Sequence, residues 1–258
     1  QPTGPMVDFV DAGSDSASIA DTVDRFKAAL GPANDPRPVN NADGFRAIDW
    51  DAVAPTSPVS DDQLATFPGD FFNTNAFPRA RGALITMDSN MMATFRLSAA
   101  PNVSGSAPAL FGEPGEFSVF GEPRLFGMTG GNMLEVRFMD PVNPSQPATV
   151  DGFGAVFTGN ELAGSTFVEF YDQTGLMLHR TEAPVTAGGG LSFAGATFAD
   201  AVVAMVRISS GTVGIDMCGM ETMNSTADCV AMDDFIYGEP QPTGPMVDFV
   251  DAGSDSAS

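Results

Sequence analysis

The sequence predicts an all-β chain: a jelly-roll-like, two-sheet antiparallel sandwich with one short N-terminal helix and long ordered loops. Three observations carry this. The 258 residues include 28 Gly, 20 Pro and 21 Phe, a balance that favours short strands and turns. From Ala83 onward, seven segments have strand character, and several alternate apolar with polar side chains. Only one stretch repeats with a helical period. A closed barrel is the alternative arrangement of the same strands.

The helix opens at Ser18-Ile-Ala-Asp21, where Ser18 is placed to cap free backbone N–H groups and Asp21 suits the positive end of the helix dipole. Ile19, Val23, Phe26 and Leu30 then share one face, and Gly31-Pro32 ends the run. Residues 32–80, rich in Pro, Asn and Asp, read as long loops laid over a scaffold. The predicted strands are Ala83–Met87, Met91–Leu97, Met133–Met139, Gly152–Phe157, Thr166–Asp172, Val202–Ser209 and Cys229–Tyr237. In Phe167-Val-Glu-Phe-Tyr171 and Leu134-Glu-Val-Arg-Phe138 every second side chain is apolar, so one face is buried and the other wet.

The organising feature is a repeat. Residues 1–18 read QPTGPMVDFVDAGSDSAS, and residues 241–258 are identical, which defines a period of 240 residues. A period this long is the size of a whole domain, so beads in a row are expected instead of a solenoid. Residues 1–18 are then a linker and strand shared with or following a previous repeat, 19–240 the sandwich unit, and 241–258 the start of the next. Three origins stay open: a window on a tandem array, one protomer of a filament whose ends overlap, or an artificial duplication. The join, Gly238-Glu-Pro-Gln-Pro-Thr-Gly-Pro245, is stiffened by its prolines. Met246, Val247, Phe249 and Val250 after it form a strand that either pairs inside its own bead or is donated to the bead before.

The charge excludes several functions. Thirty-three acids against eleven bases give −22, with Lys27 the only lysine. Three of the acids belong to the second copy of the peptide, leaving −19 for one period. Nucleic acid and anionic membranes call for clustered cations, which this chain lacks. No apolar run approaches the roughly 20 residues that span a bilayer.

Cys218 and Cys229 flank a loop beside the last predicted strand and are expected to form a disulfide, which implies an oxidising location. Free thiols are the alternative. Asn102-Val-Ser104 and Asn224-Ser-Thr226 match the N-glycosylation triplet. His179 is the only histidine, so hydrolytic triads and histidine metal centres lack parts; a surface role is expected for it. Glu135 and Glu169 fall on wet strand faces with nothing to pair them as glycosidase acids. The chain is read as no enzyme. Calcium is the one cofactor expected, because loops dense in carboxylates suit its oxygen coordination. The candidate ligands are Asp233, Asp234, Asp49 and Asp51, with Asn40-Asn-x-Asp-Gly44 close to, but short of, a spaced calcium loop.

Several motifs together resemble a family. Arg46-Ala-Ile-Asp-Trp-Asp-Ala-Val53, Gly152-Phe-Gly-Ala-Val-Phe157, Phe170-Tyr-Asp-Gln-Thr-Gly175, Leu191-Ser-Phe193, Val206-Arg-Ile-Ser-Ser-Gly211 and Met232-Asp-Asp-Phe-Ile-Tyr-Gly-Glu-Pro240 resemble a family of secreted bacterial β-sandwich domains. Its DDFxxGEP-like strand often precedes a PEP-CTERM-type sorting tail. The resemblance implies export and a jelly-roll-like domain, with no established activity. Ala52 stands where the pattern has Gly, and Pro240 runs into the second copy of the peptide instead of a tail.

The resulting expectation is a structural repeat of an extracellular bacterial filament or matrix fibre, partnered by copies of itself. The competing expectation is a repeated carbohydrate-binding module or adhesin stalk that binds polysaccharide, with Trp50 as its aromatic platform.

Overall fold

A computed structural model describes residues 6–50, 65–66, 68–87, 93–99, 109–113, 115–121, 123–220 and 226–244. The strands are β1 (Val7–Gly13), β2 (Phe45–Ile48), β3 (Ala65–Thr66), β4 (Ala83–Met87), β5 (Thr94–Leu97), β6 (Phe126–Thr129), β7 (Met133–Phe138) and β8 (Ala148–Thr149). They continue with β9 (Gly152–Thr158), β10 (Phe167–Tyr171), β11 (Met177–Glu182), β12 (Leu191–Thr197), β13 (Met205–Ser209), β14 (Ala231–Gly238) and β15 (Gln241–Pro242). One α-helix, α1, spans Ser16–Leu30.

Two antiparallel sheets stack as a sandwich. The larger runs β1-β12-β9-β14-β6-β5-β3, with β2 also paired to β14; the smaller runs β11-β10-β13-β7-β4. Between them lies a core of buried aliphatic and aromatic side chains, including Phe126, Phe138, Phe153, Phe157, Phe170 and Phe235. The inward residues of β10 and β7 are the ones the alternation selects: Val168 and Phe170, Leu134, Val136 and Phe138 are all buried. The middle strands β9 and β12 are buried along their full length. They are covered on both faces, because α1 lies on the side away from the smaller sheet. Ile19, Val23, Phe26 and Leu30 form a second core with Val156, Leu191, Phe193 and Ile236.

The helix begins earlier than the sequence suggested. Asp15, not Ser18, is the N-cap: its Oδ1 accepts from the Ser18 backbone N–H at 3.0 Å and from the Ser18 hydroxyl at 2.8 Å. A carboxylate both accepts these bonds and meets the positive helix end with full charge, which a serine cannot. Those bonds hold the Asp15 carboxyl below its ordinary range. Gly31 ends the helix as expected, with φ 107° and its N–H donated to the Lys27 carbonyl at 3.1 Å.

Residues 32–80 are not all loop. Phe45–Ile48 forms β2, which pairs with the C-terminal half of β14. Strands β6, β11 and β12 were also not predicted; β12, Leu191-Ser-Phe-Ala-Gly-Ala-Thr197, has too many small residues to show a period. Gly195 is required there by close approach: an added Cβ would lie 2.7 Å from the Gly154 Cα of β9.

The registers give the sandwich two poles. Val7 pairs with Thr197, Thr197 with Gly152, and the end of β14 lies beside the start of β9. At the other pole Gly13 pairs with Leu191, Leu191 with Thr158, and Thr158 with Ala231. The chain therefore enters β1 and leaves β14 at the same pole.

Candidate inter-repeat joint

The first copy of the repeated peptide is tied into the larger sheet. Strand β1 pairs with β12 over seven residues and forms the edge of the larger sheet. Phe9 packs edge-on against Phe26 of α1, centroids 5.3 Å apart. Asp11 Oδ2 accepts from the Thr22 hydroxyl of the helix at 2.6 Å. On the opposite face Asp8 Oδ1 accepts from the Thr181 hydroxyl at 2.7 Å and meets His179 Nε2 at 2.8 Å. His179, expected at the surface, is thus partly buried and fastens β1 to β11 of the other sheet. In the single chain, β1 thus pairs with the β12 that follows it.

The second copy is described only through Gly244, and this part docks on the sandwich that precedes it. Gln241 and Pro242 form β15 against Thr149 and Ala148 of β8. Gln241 Nε2 donates to the Asn41 carbonyl at 3.0 Å, and Gln146 Nε2 donates to the Thr243 carbonyl at 2.8 Å. The Thr243 N–H and hydroxyl both donate to the Pro147 carbonyl at 3.0 Å. The chain therefore carries two separate seats for the two copies: the β12 edge for VDFVDAG of the first and β8 for QPT of the second. Met246, Val247, Phe249 and Val250 lie outside the described residues; their counterparts in the first copy are Met6, Val7, Phe9 and Val10.

Just before the second copy stands a buried ion pair that sequence reasoning missed. Arg46 of β2 and Glu239 are 1% and 0% exposed. Arg46 Nε and Nη2 donate to the two Glu239 carboxylate oxygens, each at 2.7 Å, a bidentate fork. The rest of the guanidinium is spent on backbone: Nη1 donates to the Ala80 carbonyl at 2.6 Å and Nη2 to the Val39 carbonyl at 2.8 Å. Glu239 also accepts from Asn34 Nδ2 at 2.9 Å. The pair locks the RAIDW segment to the GEP segment immediately ahead of the joint. The signal was an arginine opening one motif and a glutamate closing another, 193 residues apart, which no local period reveals.

Trp50 requires a correction. It is fully buried, stacked on Phe126 with centroids 4.0 Å apart and planes at 4°, with Phe72 and Phe235 edge-on. Its indole N–H donates to the Asp233 carbonyl at 2.8 Å. A sugar platform needs an open ring face, and this one is spent on the core.

The proposed calcium ligands separate into different environments. Asp233 is buried, its Oδ2 accepting from the Phe120 backbone N–H at 2.7 Å. Asp234 lies beside Asp49 across the β14–β2 pair, with Lys27 of α1 nearby. Burial raises the Asp234 carboxyl to about 6, the Asp49 charge adds to this, and Lys27 opposes it. A register shift between Met232 and Phe235 seats both acids while keeping those two apolar side chains in the main core. Among the described residues no three acids, histidines or cysteines cluster as a metal site. Asp51, Asn102 and Asn224 lie outside the described residues.

Cys218 and Cys229 form the expected disulfide, Cα atoms 5.1 Å apart, at the pole away from the joint. Among the described residues no helix is long and apolar enough to cross a membrane.

The open face of the smaller sheet carries a cross-strand row, Thr86, Glu135, Arg207, Glu169 and Arg180. Arg207 Nη2 donates to Glu135 at 2.8 Å, and the Tyr171 hydroxyl donates to Glu169 at 2.7 Å. Glu135 and Glu169 thus flank one guanidinium, the charge pattern of a supported sheet face.

These features define an acidic, disulfide-bonded β-sandwich whose two ends meet at one pole. No protein-family model matches the chain, and no curated protein does. Among solved structures it is similar to the enzymatically active domain of tailspike protein 4 of bacteriophage CBA120, at 12% identity and TM-score 0.29, covering 73% of this chain and 22% of that one. It is also similar to the CBM22-1–GH10 modules of the N-terminal endo-1,4-β-D-xylanase 10B of Clostridium thermocellum complexed with xylohexaose, at 12% identity and TM-score 0.28, covering 70% of this chain and 28% of that one. The chain spans less than a third of either structure's length.

Proposed function

We propose that this chain is the structural repeat of an extracellular filament or matrix fibre, its beads joined through the repeated peptide. The observation that carries the reading is the double seating of that peptide. Its first residues fasten to the bead they follow, and its VDFVDAG strand fastens to the bead it opens. A single copy between two beads thus holds both. The disulfide supports an oxidising setting outside the cell. The acidic surface supports solubility and spacing between neighbours by repulsion. The work is mechanical, and His179 belongs to the fastening of β1 instead of to catalysis. Calcium remains part of the proposal as a counter-ion to the acidic beads.

Electron microscopy of native material, with the mass of its denatured chains, tests this. Fibres built from chains of many 240-residue periods are expected. Solitary particles from chains with a single copy of the peptide would overturn it.

A second reading, polysaccharide binding, rests on the open face of the smaller sheet. There Tyr171 sits beside the Glu135–Arg207–Glu169 row, with the Arg207 guanidinium 5.3 Å from its ring centre. A half-buried ring beside hydrogen-bonding charges offers an edge to sugar C–H faces and polar groups to sugar hydroxyls. Binding on a glycan array that is lost with Tyr171→Ala and kept with Trp50→Phe supports this reading; no binding removes it.

A further inference from the structure

We propose that in the array each repeat packs its joint pole against the joint pole of the next copy, so that beads hang outward from a shared axis instead of stacking end to end. This rests on the repeat reading above.

One observation carries it and a second agrees with it. The first is tether length. Thr243 is fastened to Pro147 and Gln146 of one bead by three hydrogen bonds. Val247 is the counterpart of Val7, which pairs with Thr197 of β12. Four residue steps separate the two anchors, a reach of at most about 14 Å. Pro245 restricts the tether further. The pole of one bead is therefore held within a few side chains' depth of the pole of the next.

The second is where exposed apolar side chains lie. Eleven large apolar side chains among the described residues are between 37% and 61% exposed. Leu162, Val185 and Met217 among them lie toward the disulfide pole, but the larger group includes Met6, Val7, Val39, Phe77, Val142 and Leu176. All six sit at the joint pole. Met6 and Val7 open β1. Val142 lies in the loop closed by the bond from Asp140 N–H to the Gln146 carbonyl, whose Gln146 side chain holds Thr243. Val39 and Phe77 flank the Arg46 latch: Val39 offers its carbonyl to Arg46, and the Arg37 guanidinium lies over the Phe77 ring at 5.8 Å. Leu176 belongs to the turn after Tyr171, at the end of β10 where Tyr171 pairs with Met205. The larger share of the exposed apolar side chains thus lies toward the joint pole of an acidic molecule, which suits an interaction surface there. The tether names the partner that reaches it, the same pole of the following copy.

The geometry has a consequence for display. Because the chain enters and leaves at one pole, the pole with the Cys218–Cys229 disulfide faces away from the axis in every repeat.

The test compares a single repeat with a chain of two consecutive repeats by hydrogen exchange and small-angle scattering. The amides of Val142, Asn143, Ser145 and residues 74–77 are expected to exchange about tenfold more slowly in the two-repeat chain, which scatters as one compact body. Val142→Glu with Phe77→Glu is expected to abolish both effects. Both side chains are exposed, so an unchanged melting temperature of the single repeat confirms an intact fold. Equal exchange rates, or two beads that tumble independently, overturn the pole contact. Native chains of only one repeat length would instead overturn the array reading on which it rests.

Discussion

Removing Glu239 by the Glu239→Ala substitution strands the Arg46 guanidinium in a site where it is 1% exposed. Two charge-assisted bonds of 2.7 Å disappear at once, along with the acceptor for Asn34. Breaking a buried pair from one side costs about 3–5 kcal/mol, because the remaining charge keeps its desolvation penalty without its partner. For a domain of this size each kcal/mol lowers the melting temperature by roughly 2–4 °C. The expected fall is therefore about 6–20 °C, measured by thermal and urea unfolding. Replacing both partners by apolar residues does not restore stability, since Arg46 also satisfies the Ala80 and Val39 carbonyls. Hydrogen exchange near Gln241 is expected to rise in the same variant, because Asn41 joins Glu239 to the β8 seat. A Glu239→Ala protein within 1 kcal/mol of the parent would refute the claim that this pair holds the end of β14 to β2.

The Asp234 carboxyl, raised by burial to about 6 from 3.8, binds its proton more tightly folded than unfolded. Stability therefore falls as pH rises from about 4 through 6, by up to about 3 kcal/mol. Asp234→Asn is expected to be more stable than the parent at pH 7 and to match it below pH 4; melting curves across this range decide. The Cys218→Ala/Cys229→Ala double variant is expected to lose about 3 kcal/mol in denaturant titrations, and equal stability with and without reductant would show that the bridge constrains nothing. Trp50→Ala is expected to cost about 3–5 kcal/mol as a core truncation. Phe9→Ala removes the ring seated on Phe26 and is expected to speed proteolysis within residues 6–13, with β14 still protected.

The chain's order along the sequence was legible wherever a local rule operates. Alternation in β7 and β10 selected the buried face correctly, since side chains of a strand alternate whatever the sheet looks like. The period of Ile19, Val23, Phe26 and Leu30 selected the buried face of α1 for the same kind of reason. The identity of residues 1–18 and 241–258 is read from the sequence without any folding rule. Two cysteines beside one strand were enough for the disulfide. Local rules failed at β12, which is covered on both faces and whose small residues carry no period, while β9, equally buried, was legible as Gly152–Phe157.

Tertiary structure alone decided the rest. Trp50, read as a surface platform, is a core residue because β2, β6 and β14 converge on it, and nothing within Asp49-Trp-Asp51 encodes that. Asp49 and Asp234 become neighbours only through the β2–β14 pairing. Arg46 finds Glu239 by the same route. The sequence by itself determined that one peptide occurs twice, because identity needs no folding to be read. Only the folded chain determined that its halves have two seats at one pole, because strand register, a long-range property, decides which ends of the sheets coincide.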